Sequence, residues 1–129
     1  MTTTLKVGPE VLVNTSTTLD QTTPAVTGLA NGNYVVTWRD DSEPDYENPS
    51  FGDVKAQIFN ASGVKIGYEF TVNTTWDWGQ GNPAITALSD GGFVVTWEDD
   101  SPYFGYLDIR AQRYSSTGAP VGAEILVNT

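Results

Sequence analysis

Two acidic doublets, Asp40-Asp41 and Asp99-Asp100, each stand two residues after a tryptophan, and each opens a loop crowded with acidic and aromatic residues. The loops read "DDSEPDYENPSFGD" over 40–53 and "DDSPYFGYLD" over 99–108. Carboxylates gathered like this suit a hard cation, since calcium takes roughly six to eight oxygens from Asp, Glu and backbone carbonyls. Asp40, Asp41, Asp99 and Asp100 are therefore candidate metal ligands, with Asp45, Glu47 and Asp53 close in sequence. The D-x-D-x-D-G spacing of a dedicated calcium loop does not occur, so calcium is an admissible cofactor and none is required.

The same loops carry Tyr46, Phe51, Tyr103, Phe104 and Tyr106, and the crossover that opens the second repeat adds Trp76 and Trp78. Aromatic faces stack on sugar rings while carboxylates and amides bond hydroxyls, a mixture found in small-ligand sites. These seven aromatics are candidate ligand-binding residues for a carbohydrate or cell-surface glycan. Trp76 and Trp78 replace small residues of the first copy and have no evident repeat counterpart. Their alternative use is to fill a seam between units or subunits, because interfaces favour the same side chains.

Composition removes most other chemistry. The 129 residues include neither Cys nor His, which excludes disulfides, thiol nucleophiles, thiolate metal sites and the commonest general base. Paired carboxylates can hydrolyse glycosides, but no spacing here singles out an acid and a base. The expectation is a non-catalytic protein. A net charge of −10 repels phosphate backbones, so nucleic acid is not an expected partner. No apolar run is long enough for membrane insertion. The opening "MTTTLKVGPE" lacks the basic and apolar regions of a signal peptide.

What must position these loops is a repeat. "GNYVVTWRDDS" at 32–42 returns as "GGFVVTWEDDS" at 91–101, 59 positions later. "DVKAQIFNASGVKIGYEFTVNT" (53–74) returns as "DIRAQRYSSTGAPVGAEILVNT" (108–129), now 55 positions apart because the second long loop is shorter. "LKVGPEVLVNT" (5–15) parallels "VKIGYEFTVNT" (64–74). The chain thus divides into 1–15, the tail end of a preceding repeat with its last strand at 10–14, then repeat 1 (16–74) and repeat 2 (75–129).

Each repeat reads as four strands: "PAVTGL" or "PAITAL"; "YVVTW" or "FVVTW"; "DVKAQIF" or "DIRAQRY"; and "EFTVN" or "EILVN". Asn31-Gly32, Asp90-Gly91, Ser62-Gly63 and Thr117-Gly118 supply the turns. Alternation puts Tyr34, Val36 and Trp38 on one face, as it does Phe93, Val95 and Trp97. Trp38 and Trp97 are read as core, Gln57 and Gln112 as partners of buried backbone groups, and Asp53 and Asp108 as acceptors for turn amides. The fold class is all-β, with tandem four-stranded antiparallel repeats resembling β-propeller blades; a β-sandwich is the alternative. Two blades leave faces uncovered, so completion by homo-oligomerisation is expected: three copies closing a six-bladed ring, or copies adding end to end. The surplus strand at 10–14 favours exchange between neighbours.

The paired stretches "QTTPAVTGLANGNYVVTW" and "QGNPAITALSDGGFVVTW", each followed by its "AQ…G…VNT" tail, resemble tandem repeats of large secreted bacterial exoproteins. Proteins of that kind are often type I-secreted and often carry RTX calcium-binding nonapeptides. The resemblance covers nearly the whole chain and implies adhesion at the cell surface or outside the cell, with export that needs no N-terminal signal. It supplies no catalytic motif. The G-G-x-G-x-D array is absent here, so RTX-type calcium binding does not carry over. The reading is a secreted binding or adhesion module, lectin-like through its aromatic and acidic loops. The alternative is a structural repeat that assembles into a ring or filament, with the aromatics at subunit seams.

Overall fold

Four turns of one construction set the strand pairing. In the first, Gly32 N–H donates to the Leu29 carbonyl at 3.0 Å and Leu29 N–H to the Asn33 carbonyl at 2.8 Å, with Gly32 at φ +88°. The same two bonds recur over 60–64, 88–92 and 115–119, where Gly63, Gly91 and Gly118 take the left-handed position. A type I turn closed by a left-handed residue makes a tight hairpin, and glycine enters that region without a Cβ penalty.

The computed structural model describes residues 3, 5–42, 52–75, 78–100 and 106–129. Among them run β1 (Gln21–Gly28), β2 (Tyr34–Asp40), β3 (Asp53–Phe59), β4 (Lys65–Thr71), β5 (Gln80–Ala87), β6 (Phe93–Asp99), β7 (Asp108–Tyr114) and β8 (Ile125–Leu126). They form two four-stranded antiparallel sheets in sequence order, β1-β2-β3-β4 and β5-β6-β7-β8. The protein is all-β. No helix among the described residues is long and apolar enough to cross a membrane, and the two sheets do not close on themselves into a barrel or ring.

β3 and β7 match the expected bounds. β1 and β5 start three residues earlier than expected, reaching Gln21 and Gln80 through bulges at Thr22/Ala25 and Gly81/Ala84. The bulge places Thr23 at φ +50° and Asn82 at φ +47°, and leaves Pro24 and Pro83, which lack an N–H, out of the ladder. A second irregularity interrupts the pairing of β3 with β4 between Ala56 and Ile58. There the buried Gln57 amide donates to the carbonyls of Ile58 (2.9 Å) and Ile66 (3.2 Å), and Gln112 does the same for Arg113 (2.9 Å) and Gly122 (3.2 Å). The expected role of both glutamines is present.

β2 and β6 run two residues past the expected tryptophan ends, to Asp40 and Asp99, and β4 spans Lys65–Thr71 where 69–73 was expected, since Lys65 and Ile66 pair with Phe59 and Ile58. The last strand and the N-terminal one differ more. β8 holds only two residues against seven in β4, because Pro120 replaces Lys65 and reduces that part of the ladder to one isolated bridge with Tyr114. Residues 10–14 form no strand. With no third strand of their own among the described residues to pair with, they lie against the first sheet instead.

Each sheet has a tryptophan face and a threonine face. In the first sheet Tyr34, Val36, Trp38 and Asp40 stand beside Phe59, Gln57, Lys55 and Asp53; the opposite face carries Val35, Thr37 and Arg39 beside Ile58, Ala56 and Val54. The core forms where unlike faces meet. Val35, Val54, Ala56 and Ile58 from the threonine face of the first sheet pack on Phe93, Val95, Trp97 and Tyr114 from the tryptophan face of the second. Tyr114 stacks on Phe93 (5.1 Å between centroids) and donates its hydroxyl proton to the Val72 carbonyl at 3.1 Å. Trp97 and Trp38 are both buried, as expected of core residues.

Candidate functional site

Antiparallel order brings the ends of β2 and β6, the starts of β3, β5 and β7, and both acidic doublets to one end of the sheets. At this end the second repeat builds a continuous polar chain. Trp97 Nε1–H donates to Gln80 Oε1 at 2.7 Å, and Gln80 Nε2 donates to Asp99 Oδ1 at 2.6 Å. Asp99 Oδ2 pairs with Arg110, whose Nη1 reaches Glu124 Oε1 at 3.0 Å. Glu124 then accepts the Thr74 N–H (2.7 Å) and the hydroxyls of Thr74 (2.9 Å) and Thr75 (3.0 Å). Gln80 and Asp99 are fully buried, so each bond here replaces one to water that cannot form. Burial alone would lower the Arg110 pKa, but the carboxylates of Asp99 and Glu124 outweigh it and raise the net value.

The first repeat holds the same residue types in a looser arrangement. Gln21 Oε1 accepts from Asn14 at 3.1 Å, its Nε2 sits 3.3 Å from Asp40 Oδ1, and Lys55 approaches Asp40 only to 3.9 Å. The buried Trp38 Nε1 and Asp40 Oδ2 have no hydrogen-bond partner. Arg39 Nε donates to Asp41 Oδ1 at 2.9 Å, and both side chains cross Gly52, where a Cβ would overlap them.

These contacts define the surroundings of the candidate metal ligands. Asp99 is held by Gln80 and Arg110, Asp40 by Gln21 and the Ser42 N–H (2.9 Å), and Asp41 by Arg39. The Asp100 N–H donates to the Gly79 carbonyl at 3.0 Å, as the Asp41 N–H does to Asp20 at 2.9 Å. No group of three or more acidic side chains among the described residues converges on one point that could hold a metal ion.

Of the candidate ligand-binding aromatics, Trp76, Tyr46, Phe51, Tyr103 and Phe104 lie outside the described residues. Tyr106 is 78% exposed and Trp78 is half-buried at φ +73°. Trp78 does have a repeat counterpart: Leu19, 59 positions earlier, takes the same left-handed backbone at φ +54°. Asp53 and Asp108 accept from Asn73 and Asn128, both at 2.8 Å. The Oδ1 atoms of these asparagines take the N–H of Val54 (2.8 Å) and Ile109 (2.7 Å), so the VNT asparagine pins the start of the third strand.

Sequence reasoning assigned no role to Gln21 and Gln80, Arg110, Glu69 and Glu124, or the VNT asparagines. The available signal was their recurrence at the repeat spacing. No protein-family model, no curated protein and no solved structure matches the chain.

Proposed function

We propose that the chain is a non-catalytic binding module of a secreted bacterial protein, with a carbohydrate or cell-surface glycan as its ligand at the loop end. What carries this reading is the division of labour between the copies. The buried Trp38, Gln57 and Phe59 agree in type with the buried Trp97, Gln112 and Tyr114, whereas the exposed Tyr106 and the half-buried Trp78 belong to the segments where the copies diverge. Loops on a rigid sheet scaffold are where binding residues concentrate. Calcium at the acidic doublets is compatible with this role and not required for it. The packing of unlike faces can be continued by further sheets around an axis, and a propeller-like arrangement completed by other copies is the finer fold we propose.

A glycan array probed with the purified protein, in calcium and again in EDTA, tests the binding role. Glycan binding that is lost in the Trp78→Ala, Tyr106→Ala double variant supports it, and silence on the array in both buffers overturns it. Binding in calcium alone assigns the metal a part; equal binding in EDTA removes it.

The second reading is a structural repeat whose copies assemble into a ring or filament. It is favoured by one observation: among the described residues no sheet packs on the threonine face of the second sheet, although its counterpart in the first sheet is buried.

A further inference from the structure

The joint between the two sheets has two parts. The threonine face of one sheet covers the tryptophan face of the next, and the segment after β4 clamps onto the following repeat. The clamp is the bond from the Thr74 N–H to Glu124, with Phe70 packed over Gly118. The first sheet carries the same clamp. The Thr15 N–H donates to Glu69 Oε2 at 2.8 Å, and Val11 packs over Gly63. Among the described residues it lacks a covering sheet: Tyr34 and Val36 are only half-buried where Phe93 and Val95 are fully buried, although Trp38, Gln57 and Phe59 on the same face are already buried. Among the described residues, the buried side-chain polar atoms without a hydrogen-bond partner, Trp38 Nε1, Asp40 Oδ2 and Gln57 Oε1, all lie on this tryptophan face.

The second sheet shows the opposite deficit. Its threonine face presents the half-buried Val94 and the exposed Ile109, equivalents of the buried Val35 and Val54, beside the buried Ala111; Arg113, paired with Asp90, stands where Ile58 stands in the first sheet. A groove of about 620 Å³ runs there, lined by Leu88, Val94, Ala111, Arg113, Val121 and Ile125. Beside β7 the fourth strand is the two-residue β8, and Val121, Ile125, Leu126 and Val127 are 43–58% exposed.

A further feature joins the two deficits. Residues 6–15, "KVGPEVLVNT", match residues 120–129, "PVGAEILVNT", at seven of ten positions. Gly8 (φ +87°) and Gly122 (φ +77°) give both segments the same left-handed bend. Val7 is fully exposed where its equivalent Val121 lines the groove.

We infer that the open threonine face of the second sheet is the docking surface for the first sheet of a second copy of this chain, joined head to tail in the geometry of the internal joint. Residues 6–15 of the incoming copy take the fourth-strand place beside β7, displacing the short β8 segment. They keep their clamp on their own first sheet through Thr15 and Glu69. The incoming tryptophan face covers Val94, Ala111 and Ile109. Because each chain carries a net charge of −10, salt strengthens the association by screening repulsion. Such a contact uses different surfaces on the two partners, so it propagates to a closed ring or an open filament.

This inference rests on the second reading above. The test is the mass in solution by light scattering across a concentration series, for the wild type, Val7→Glu and Val94→Glu, with Ile109→Glu as a second variant of the docking face. The wild type is expected to rise above the 13.9 kDa chain mass with concentration. Each variant alone is expected to associate at least about tenfold more weakly, since the seam desolvates the new carboxylate; Val94→Glu stands opposite Arg113 across the ladder, so Ile109→Glu, opposite Glu98, is the stricter docking-face variant. Val7→Glu mixed with Val94→Glu is expected to give a two-chain species and nothing larger, because one intact surface of each kind remains. A wild type that keeps the single-chain mass overturns both the inference and the second reading. Association unaffected by Val7→Glu and by the docking-face variants overturns the inference alone, and so does a mixture that yields no two-chain species.

Discussion

Replacing Gln80 by Leu tests whether the polar chain beneath the loops stabilises the second repeat. Gln80 is fully buried, and its side chain bonds both Trp97 Nε1 (2.7 Å) and Asp99 Oδ1 (2.6 Å). Leucine has a similar volume and offers neither bond. The indole N–H then has no acceptor, at about 1–3 kcal/mol, and Asp99 loses one charge-assisted bond, at about 1.5–3 kcal/mol, leaving a total near 4 kcal/mol. Gln21→Leu is the control at the equivalent position 59 residues earlier. There the indole of Trp38 already lacks a partner and the bond to Asp40 is 3.3 Å long. Gln21 also loses its bonds with Asn14 (3.1 Å) and the Thr18 carbonyl (2.8 Å), but at this half-buried position water replaces them, so only about 1 kcal/mol is expected. Urea unfolding at dilute protein concentration measures both, from the midpoint shift at unchanged slope. Gln80→Leu should cost about 3 kcal/mol more than Gln21→Leu, a large fraction of a small protein's stability. Equal costs would refute the assignment of Gln80 as the buried link.

Tyr114 gives a pH dependence. Burial chiefly, and the Glu124 carboxylate secondarily, raise its phenol above the ordinary value of 10.0. The folded chain therefore keeps a proton that the unfolded chain releases, so this contribution is complete below pH 10 and declines as the pH rises beyond it. Urea midpoints followed through the alkaline range should fall more steeply for the wild type than for Tyr114→Phe, which at neutral pH loses about 1 kcal/mol with the bond to the Val72 carbonyl; parallel profiles would contradict this. Thr23, β-branched and at φ +50°, occupies the bulge position that Asn82 fills at φ +47° in the second repeat. Asparagine tolerates the left-handed region where a β-branched residue is strained, so Thr23→Asn should raise stability by up to about 1 kcal/mol in the same assay, and a loss would show that the Thr23 side chain relieves its own strain.

Much of the strand pattern was legible because its causes are local. Alternation over "YVVTW" and "DVKAQIF", with glycine turns between, requires only that side chains alternate across a strand and that glycine accept positive φ. The early starts of β1 and β5 were hidden by Pro24 and Pro83, which read as the first strand residues, whereas the residues before them belong to the strand through a bulge. The 10–14 segment has the composition of β4, yet pairing needs a neighbouring strand, which composition does not provide. In the candidate site, the acidic doublets were visible as charge. Their partners were not, because Gln80 and Arg110 meet Asp99, and Glu124 meets Arg110, only after three strands have paired.

The sequence by itself determined an all-β chain of two repeats, with its turns, its alternating faces and its lack of thiol or imidazole chemistry. Those properties depend on residue type and spacing along the chain. Only the tertiary structure decided which face of each repeat is covered. Trp38 and Trp97 have the same local sequence, but Trp97 lies under Val35, Val54 and Ile58 with its indole bonded to Gln80, while Trp38 is covered without a partner for its Nε1. The physical reason is that burial and hydrogen-bond satisfaction belong to pairs of surfaces. Two equal repeats therefore become unequal wherever one has a neighbour and the other does not.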